Sequence, residues 1–332
     1  MLKKYLQHLL NRDDLPRIGC QEAILKVFED ETPVEQTAAF LALLHAKGET
    51  AEEILGVIDA LKQHMQPVVL HHKVLDIVGT GGDGAGSINL STGAAILAAS
   101  CGVKIAKHGN RAVSSLCGSA DVLEALKINI HLSADAIAAC IEAFGMGFYF
   151  APNFNPLLTQ LKTIRRHLAI PTVLNLVGPF LNPAQPKHYL MGVSSPRLLP
   201  VYADILSKLT VGKSVVVHSE GLDEMSCCGE TQVIEIENGQ KKSYKITPKM
   251  LGLTEISRDA LKGGDANTNA TILRAALSGE KSTVSESLIL NAAMAIYLYG
   301  LEKNLPSAVA RAQENLYQGC ALEVLKKWQC MS

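Results

Sequence analysis

What this chain has little of narrows it before any motif is read. Neither sign of charge is in excess: Lys+Arg 31 against Asp+Glu 32 leaves −1, with a pI near 6.8. No global field therefore draws it to nucleic acid or to an acidic membrane surface. Aromatics make up only 5%, with one Trp. The eight cysteines (20, 101, 117, 140, 227, 228, 320 and 330) include no C-x-x-C pair. They are too sparse for a disulfide scaffold and lack zinc-ligand spacing, so reduced thiols in a cytoplasmic protein are expected. Apolar stretches such as 94–99 are far shorter than a membrane span. Gln7, His8, Asn11 and Arg12 interrupt any signal-peptide core after Met1-Leu2-Lys3-Lys4. Neither G-x-S-x-G nor H-E-x-x-H occurs, so covalent-nucleophile or zinc catalysis is not indicated.

What is there is ordinary globular material: 48% hydrophobic residues, 26 Gly and 13 Pro, at a mean hydropathy of +0.16. Length at roughly 150 residues per domain predicts about two domains. Up to residue 66 the pattern is helical: Leu2, Leu6, Leu9 and Leu10 share one face, as do Ala23, Ile24, Val27 and Phe28. Thr32 to Glu35 and Thr50 to Glu53 both read as capping boxes. After Pro67, short β-branched runs alternate with Ala/Leu-rich segments, which predicts βαβ units and a mainly parallel sheet. Candidate strands are 74–78, 103–106, 147–150, 189–193 and 214–218. A hairpin, 232–237 and 242–246, turns at Asn238-Gly239. Residues 157–167 read as one further helix. The expected class is α/β. A small discontinuous helical domain (1–66 with about 157–185) accompanies a larger α/β domain (67–156 and 186–332), whose mainly parallel central sheet is flanked by helices.

The strongest local signal is Leu75-Asp76-Ile77-Val78, then Gly79-Thr80-Gly81-Gly82-Asp83-Gly84-Ala85-Gly86. Ser87 and Asn89-Leu90-Ser91-Thr92 lead from it into a small-residue helix. Strand, glycine-rich turn and helix N-terminus together cradle phosphate, because glycine lets the backbone approach and the free N–H groups and helix dipole stabilise the anion. Asn89, Ser91 and Thr92 can cap that helix or donate to the ligand. The run also matches G-x-G-x-x-G, but that fingerprint wants an acidic residue closing the next strand. Here the position holds Lys107-His108, which suits phosphate. A second donor-rich loop runs from Lys107 to Ser119 and offers cations, an amide and hydroxyls to an anion with many oxygens. Both loops leave strands at the carboxyl edge of one sheet, where such sheets bind ligands. The strand 214–218 leads to Asp223-Glu224, a carboxylate pair able to share Mg²⁺ with substrate phosphates. Arg165-Arg166 could grip a carboxylate, although a solvated helix surface is the plainer reading.

Taken together, Asp76–Asp83, Asn89–Thr92, Lys107–Arg111, Gly118-Ser119-Ala120-Asp121 and Gly221-Leu222-Asp223-Glu224 resemble the anthranilate phosphoribosyltransferases. Asn175-Leu176-Val177-Gly178-Pro179 and Leu261-Lys262-Gly263-Gly264 extend the likeness along the chain. The resemblance implies a cytoplasmic homodimer joined through the helical domain. It implies transfer of the 5-phosphoribosyl group from phosphoribosyl pyrophosphate to the amine of anthranilate, in tryptophan biosynthesis. By motif, phosphoribosyl pyrophosphate would be held by Gly79, Gly82, Asp83, Ser87, Asn89, Leu90, Ser91 and Thr92. The second loop would add Lys107, His108, Gly109, Asn110, Arg111, Ala112, Val113, Ser114, Ser115 and Ser119. Lys107 and Arg111 would act electrostatically, with no acid or base assigned. Anthranilate would meet Gly79, Asn110 and Arg165. Mg²⁺, two ions per subunit, would bind Ser91, Asp223 and Glu224. No nucleic-acid or membrane partner is expected.

The chain departs from the family's usual residues at Leu116 and Cys117, where Lys and Ser are common. It departs again at Asn155, where His is common, and at Pro171, where Arg is. These changes bear on the acceptor more than on the phosphate or metal. Two other readings share the fold. A pyrimidine nucleoside phosphorylase would consume free phosphate and need no Asp223/Glu224 metal site. A non-catalytic nucleic-acid-binding relative is disfavoured by the near-zero net charge.

Overall fold

The computed structural model describes residues 1–112, 116–209 and 212–332. The chain opens with four helices, α1 (Lys3–Leu10), α2 (Arg17–Val27), α3 (Val34–Lys47) and α4 (Ala51–Gln63). The Thr50 capping box forms. Thr50 Oγ1 accepts from the Glu53 N–H at 3.2 Å, and the Glu53 carboxylate accepts from the Thr50 N–H at 2.9 Å. The expected Thr32 box does not form. Pro33, at φ −59° and ψ 138°, is itself the last residue before the first turn, so the helix starts one place too late for Thr32 to cap it. Thr32 Oγ1 has no partner among the described residues.

Beyond Pro67 the chain lays down β1 (Leu75–Gly79), α5 (Leu90–Ser100), β2 (Ile105–Gly109), α6 (Ser119–Ala125), α7 (Ala134–Phe144) and β3 (Met146–Phe150). Four short helices follow: α8 (Ala151–Phe154), α9 (Pro156–Gln160), α10 (Lys162–Leu168) and α11 (Val173–Leu176). The single helix expected over 157–167 is broken at Leu161, which turns inward and is buried. The sheet resumes with β4 (His188–Gly192), α12 (Leu198–Leu209), β5 (Ser214–Ser219), β6 (Thr231–Glu237) and β7 (Gln240–Ile246). The chain closes with α13 (Ala266–Leu277), α14 (Thr283–Tyr299), α15 (Leu305–Tyr317) and α16 (Cys320–Met331). Two compact units result: Met1–Pro67 with Ala151–Pro183, and Val68–Phe150 with Ala184–Ser332.

The seven strands run β3-β2-β1-β4-β5-β6-β7. The first five are parallel, and β6 and β7 are antiparallel. Asn238 and Gly239 both take left-handed φ, 52° and 76°, as a two-residue hairpin turn of matching twist requires. Strand order reverses at β1: the chain goes to β2 on one side and reaches β4 on the other. That reversal opens a crevice at the carboxyl ends of β1 and β4, the usual ligand position in such a sheet. Gly79 and Gly192 face each other there. The β2 strand is shifted from the expected 103–106, because it pairs with β3 as far as Gly109 opposite Phe150. Lys107 and His108 therefore lie inside the strand and are buried, and the loop begins at Asn110 rather than at Lys107.

Behind the sheet, α5 is buried from Leu90 to Ala99 apart from Ser91. A Cβ on Gly93 would come within 2.7 Å of Leu273 and 2.8 Å of Leu288, so glycine lets α5 approach α13 and α14. Among the described residues, no helix is long and apolar enough to cross a membrane.

Candidate active site

The arc after β1 is built from left-handed glycines: Gly81, Gly82, Gly84 and Gly86 have φ of 67°, 77°, 66° and 59°. Four such positions would strain any residue with a Cβ. The far end of the arc is pinned from α13's side of the chain. Gly263 N–H donates to the Gly86 carbonyl at 2.9 Å, and Ile88 N–H donates to the Leu261 carbonyl at 3.0 Å. Asp83 Oδ1 accepts from Ala85 N–H at 3.0 Å, while its buried Oδ2 has no hydrogen-bond partner among the described residues. Ser87 bridges Lys262. Asn89 stands at the N-terminus of α5, and of the two roles open to it, capping the helix or donating to a ligand, its side chain does not take the first. Its Nδ2 donates to the Cys117 carbonyl at 3.1 Å, and its Oδ1 accepts from Asn269 at 2.9 Å and from the Cys117 thiol at 3.3 Å. Thr92 Oγ1 is buried without a partner among the described residues.

The capping is done from across the sheet. After β5, Glu220 and Gly221 take φ of 48° and 80°, and Ser219 and Leu222 close the turn through mutual main-chain hydrogen bonds. This turn sends Asp223-Glu224 back over the ends of β4 and β1. Asp223 Oδ2 accepts from Gly81 N–H at 2.6 Å, and Glu224 Oε1 accepts from Ser91 N–H at 3.1 Å. A Cβ on Gly79 would overlap the Asp223 carboxylate, and one on Gly192 would overlap the Asp223 carbonyl. The facing glycines are thus the floor on which the acidic pair rests. Gly192 carries no motif and was missed by the sequence reading, since its need for glycine arises only from the pairing of distant strands.

The electrostatics are short of positive charge. Burial, then repulsion from Asp83, raises the Asp223 carboxyl above its usual range. Burial, then repulsion from Asp223, does the same to Glu224. Lys107 lies behind them, fully buried, with Nζ donating to the Ile77 carbonyl at 2.6 Å. Burial lowers its pKa, against the opposing pull of Asp76, Glu224 and Asp223. Buried hard oxygens with excess negative charge fit a divalent cation such as Mg²⁺. Among the described residues, no three His, Cys, Asp or Glu side chains converge as a closed metal cage.

In the second loop, Asp121 is the clasp. Its Oδ2 accepts from both Ala112 N–H and Gly118 N–H at 2.9 Å, drawing the ends of the loop together. Arg111 pairs with Asp121 at 3.1 Å and with Glu124 at 2.5 Å, and lies over the Phe150 ring. Asn110 Oδ1 accepts from Arg111 N–H at 2.7 Å, and its carbonyl accepts from Ala120 N–H. Ser119 opens α6, and Gly109 ends β2. Leu116 is 77% exposed, whereas Cys117 is buried against Asn89. Val113, Ser114 and Ser115 lie outside the described residues.

Arg165 lies on α10, in the helical unit. It is half-buried and, among the described residues, has no ion pair; burial lowers its pKa. In the same unit, Asn155 is buried, with Nδ2 donating to the Ala151 and Leu181 carbonyls at 3.4 and 3.3 Å.

Comparison with known proteins gives a consistent result. Residues 71–322 match the glycosyl transferase family α/β domain, and residues 3–65 match that family's helical bundle domain. The anthranilate phosphoribosyltransferase of Chlamydia caviae is 41% identical over 100% of this chain and 97% of its own length. The crystal structure of the Thermus thermophilus enzyme of that name superposes with a TM-score of 0.92 at 37% identity, covering 98% of both chains. The Saccharomyces cerevisiae enzyme in complex with PRPP and Mg superposes with a TM-score of 0.91 at 28% identity, over 99% of this chain and 97% of that one. The same yeast protein has been solved with 4-fluoroanthranilate.

Proposed function

Because this chain belongs to the anthranilate phosphoribosyltransferases, within the glycosyl transferase family, we propose that the β1/β4 crevice is where it performs that reaction. The 5-phosphoribosyl group of phosphoribosyl pyrophosphate passes to the amine of anthranilate, giving N-(5-phosphoribosyl)anthranilate and pyrophosphate. The observation that carries this placement is the acidic pair: two buried carboxylates on a floor of facing glycines, within reach of the glycine arc and the start of α5.

Ser91, Asp223 and Glu224 hold Mg²⁺, two ions per subunit. An ion held by these residues would supply positive charge to the pyrophosphate leaving group. The donor is held by Gly79, Gly82, Asp83, Ser87, the 89–92 turn, the 107–115 segment and Ser119. Main-chain N–H groups of the glycine arc other than those of Gly81 and Ala85 stabilise phosphate oxygens, and α5, whose first-turn N–H groups are already paired, adds the field of its dipole. The bond from ribose C1 to pyrophosphate breaks with its electron pair leaving on oxygen. C1 becomes cationic in character, and the amine nitrogen supplies the pair that forms the new bond. Lys107, buried behind the acidic pair, acts on the leaving group's charge through space, and Arg111 acts on it by exchanging its Asp121 and Glu124 partners for phosphate oxygens. The anilinium proton is acidic enough to depart without a dedicated base. Arg165 is the acceptor-carboxylate residue of the helical unit, a role supported by its half-buried guanidinium, which has no ion pair among the described residues; Gly79 and Asn110 are the acceptor residues of the α/β unit.

The protein works as a cytoplasmic homodimer assembled through the helical unit. Leu10, Ile18 and Val34, all exposed on that unit, support a self-association face, and cysteine spacing unsuited to a disulfide scaffold supports a reducing compartment. The test is fluorimetric. Anthranilate emission should decay on mixing enzyme, phosphoribosyl pyrophosphate and Mg²⁺, and should hold steady with EDTA. No decay in either mixture would overturn the acceptor assignment.

A further inference from the structure

The helix α14 is buried along most of its length and apolar from Leu288 to Ile296, with one exception, Asn291. A mid-helix asparagine is a poor helix former, and a buried amide is costly unless every group is paired. Here every group is. Asn291 Nδ2 donates to the Met225 carbonyl at 2.6 Å and to the Ser287 carbonyl at 2.9 Å, and Oδ1 accepts from Met225 N–H at 3.3 Å. The side chain thus grips both main-chain groups of one residue, as a neighbouring strand would. One helical turn earlier, buried Ser287 accepts from Cys227 N–H at 3.3 Å. Positions i and i+4 of the helix therefore hold alternate residues, 225 and 227, of one segment. The intervening Ser226 faces the other way, to Ser219 Oγ at 2.9 Å.

That segment begins directly after Asp223 and Glu224. We propose that Asn291, assisted by Ser287, is a positioning residue for the reaction. By fixing the main chain at Met225 it sets how far the two carboxylates reach across β4 and β1. An asparagine needed only to satisfy itself would bond to its own helix. This one directs two of its three hydrogen bonds to the residue beside Glu224, and among the described residues the side-chain hydrogen bonds of Asn291 and Ser287 go to the 225–227 segment and to α14 itself. The proposal rests on the reading that the acidic pair holds the metal.

Mn²⁺ serves as the probe, its free ion counted by electron paramagnetic resonance with full-length enzyme and phosphoribosyl pyrophosphate. Asn291→Leu keeps the volume but leaves both Met225 groups unpaired; Ser287→Ala is milder and deletes one acceptor. Mn²⁺ affinity should fall about tenfold or more in Asn291→Leu, as for other groups that orient metal ligands. It should fall about threefold in Ser287→Ala, the equivalent of one modest hydrogen bond. Phosphoribosyl pyrophosphate binding without metal should hold steady in both. Asp223→Asn with Glu224→Gln is the reference. If the reference loses Mn²⁺ while the folded Asn291 and Ser287 variants keep wild-type affinity, the positioning role is overturned. If the reference keeps it too, the metal reading itself fails. Should Asn291→Leu not fold, Ser287→Ala decides.

Discussion

Gly192 shows how a site depends on a residue that does no chemistry. A Cβ there meets the main-chain carbonyl of Asp223, which can move only by shifting the acidic turn. On Gly79 the first clash is with the Asp223 side chain. Gly192→Ala should cost about 1–3 kcal/mol, the usual penalty of overpacking, and should destabilise more than Gly79→Ala, whose clash a side-chain shift relieves; urea unfolding measures both, and equal losses would contradict this. Asp121 carries a pH-dependent prediction. Burial raises its carboxyl, but Ala112 N–H, Gly118 N–H and Arg111 together outweigh that and hold it below the ordinary value. Its contribution is therefore fully present above the unfolded pKa of about 3.9 and is lost as pH falls through the lower folded value. Asp121→Asn should destabilise by on the order of 1 kcal/mol near neutrality, and the gap should close towards pH 3 in chemical denaturation. Equal gaps at pH 7 and pH 3 would contradict this. The glycine arc, Asp83, Asp223 and Glu224 were legible because local spacing carries them. The burial of Lys107 was not, because strand pairing with β3 decides it.

At the scale of elements, α4 depends on one carboxylate. Glu53 accepts from Leu15 N–H at 2.9 Å, from Thr50 N–H at 2.9 Å and from Lys47 Nζ at 2.9 Å, and is fully buried. Glu53→Ala strands the Leu15 and Thr50 N–H groups, while Lys47 keeps Asp14 and the Gly48 carbonyl, and should cost about 2–5 kcal/mol at roughly 1–3 for each unsatisfied buried group. Thr50→Ala removes one cap bond and should cost about 1 kcal/mol. Thermal unfolding of the two variants checks the order, and equal effects would contradict it. This cap was visible in the sequence, and so was its false counterpart at Thr32. Only the backbone of Pro33 distinguishes them. Strand positions were readable to within a few residues, since their ends are set by long-range partners such as Gly109 and Phe150.

At the scale of the molecule, alternating strands and helices predicted a mainly parallel sheet, and the sheet is parallel across five strands. The strand order was not legible. Nothing local says that β4 returns beside β1, yet that return makes the crevice. The proposed dimer belongs to this scale as well. Leu10→Glu with Ile18→Glu should shift sedimentation from dimer to monomer; an unchanged dimer would move the interface elsewhere. The central claim is that Asp223 and Glu224, seated at the β1/β4 crevice, make phosphoribosyl transfer to anthranilate dependent on Mg²⁺. Its most direct test is the rate of anthranilate fluorescence loss against Mg²⁺ concentration in the wild type and in Asp223→Asn with Glu224→Gln. The account predicts a saturable Mg²⁺ response in the first and near-complete loss of turnover at every concentration in a folded double variant. Wild-type turnover in the double variant would contradict it.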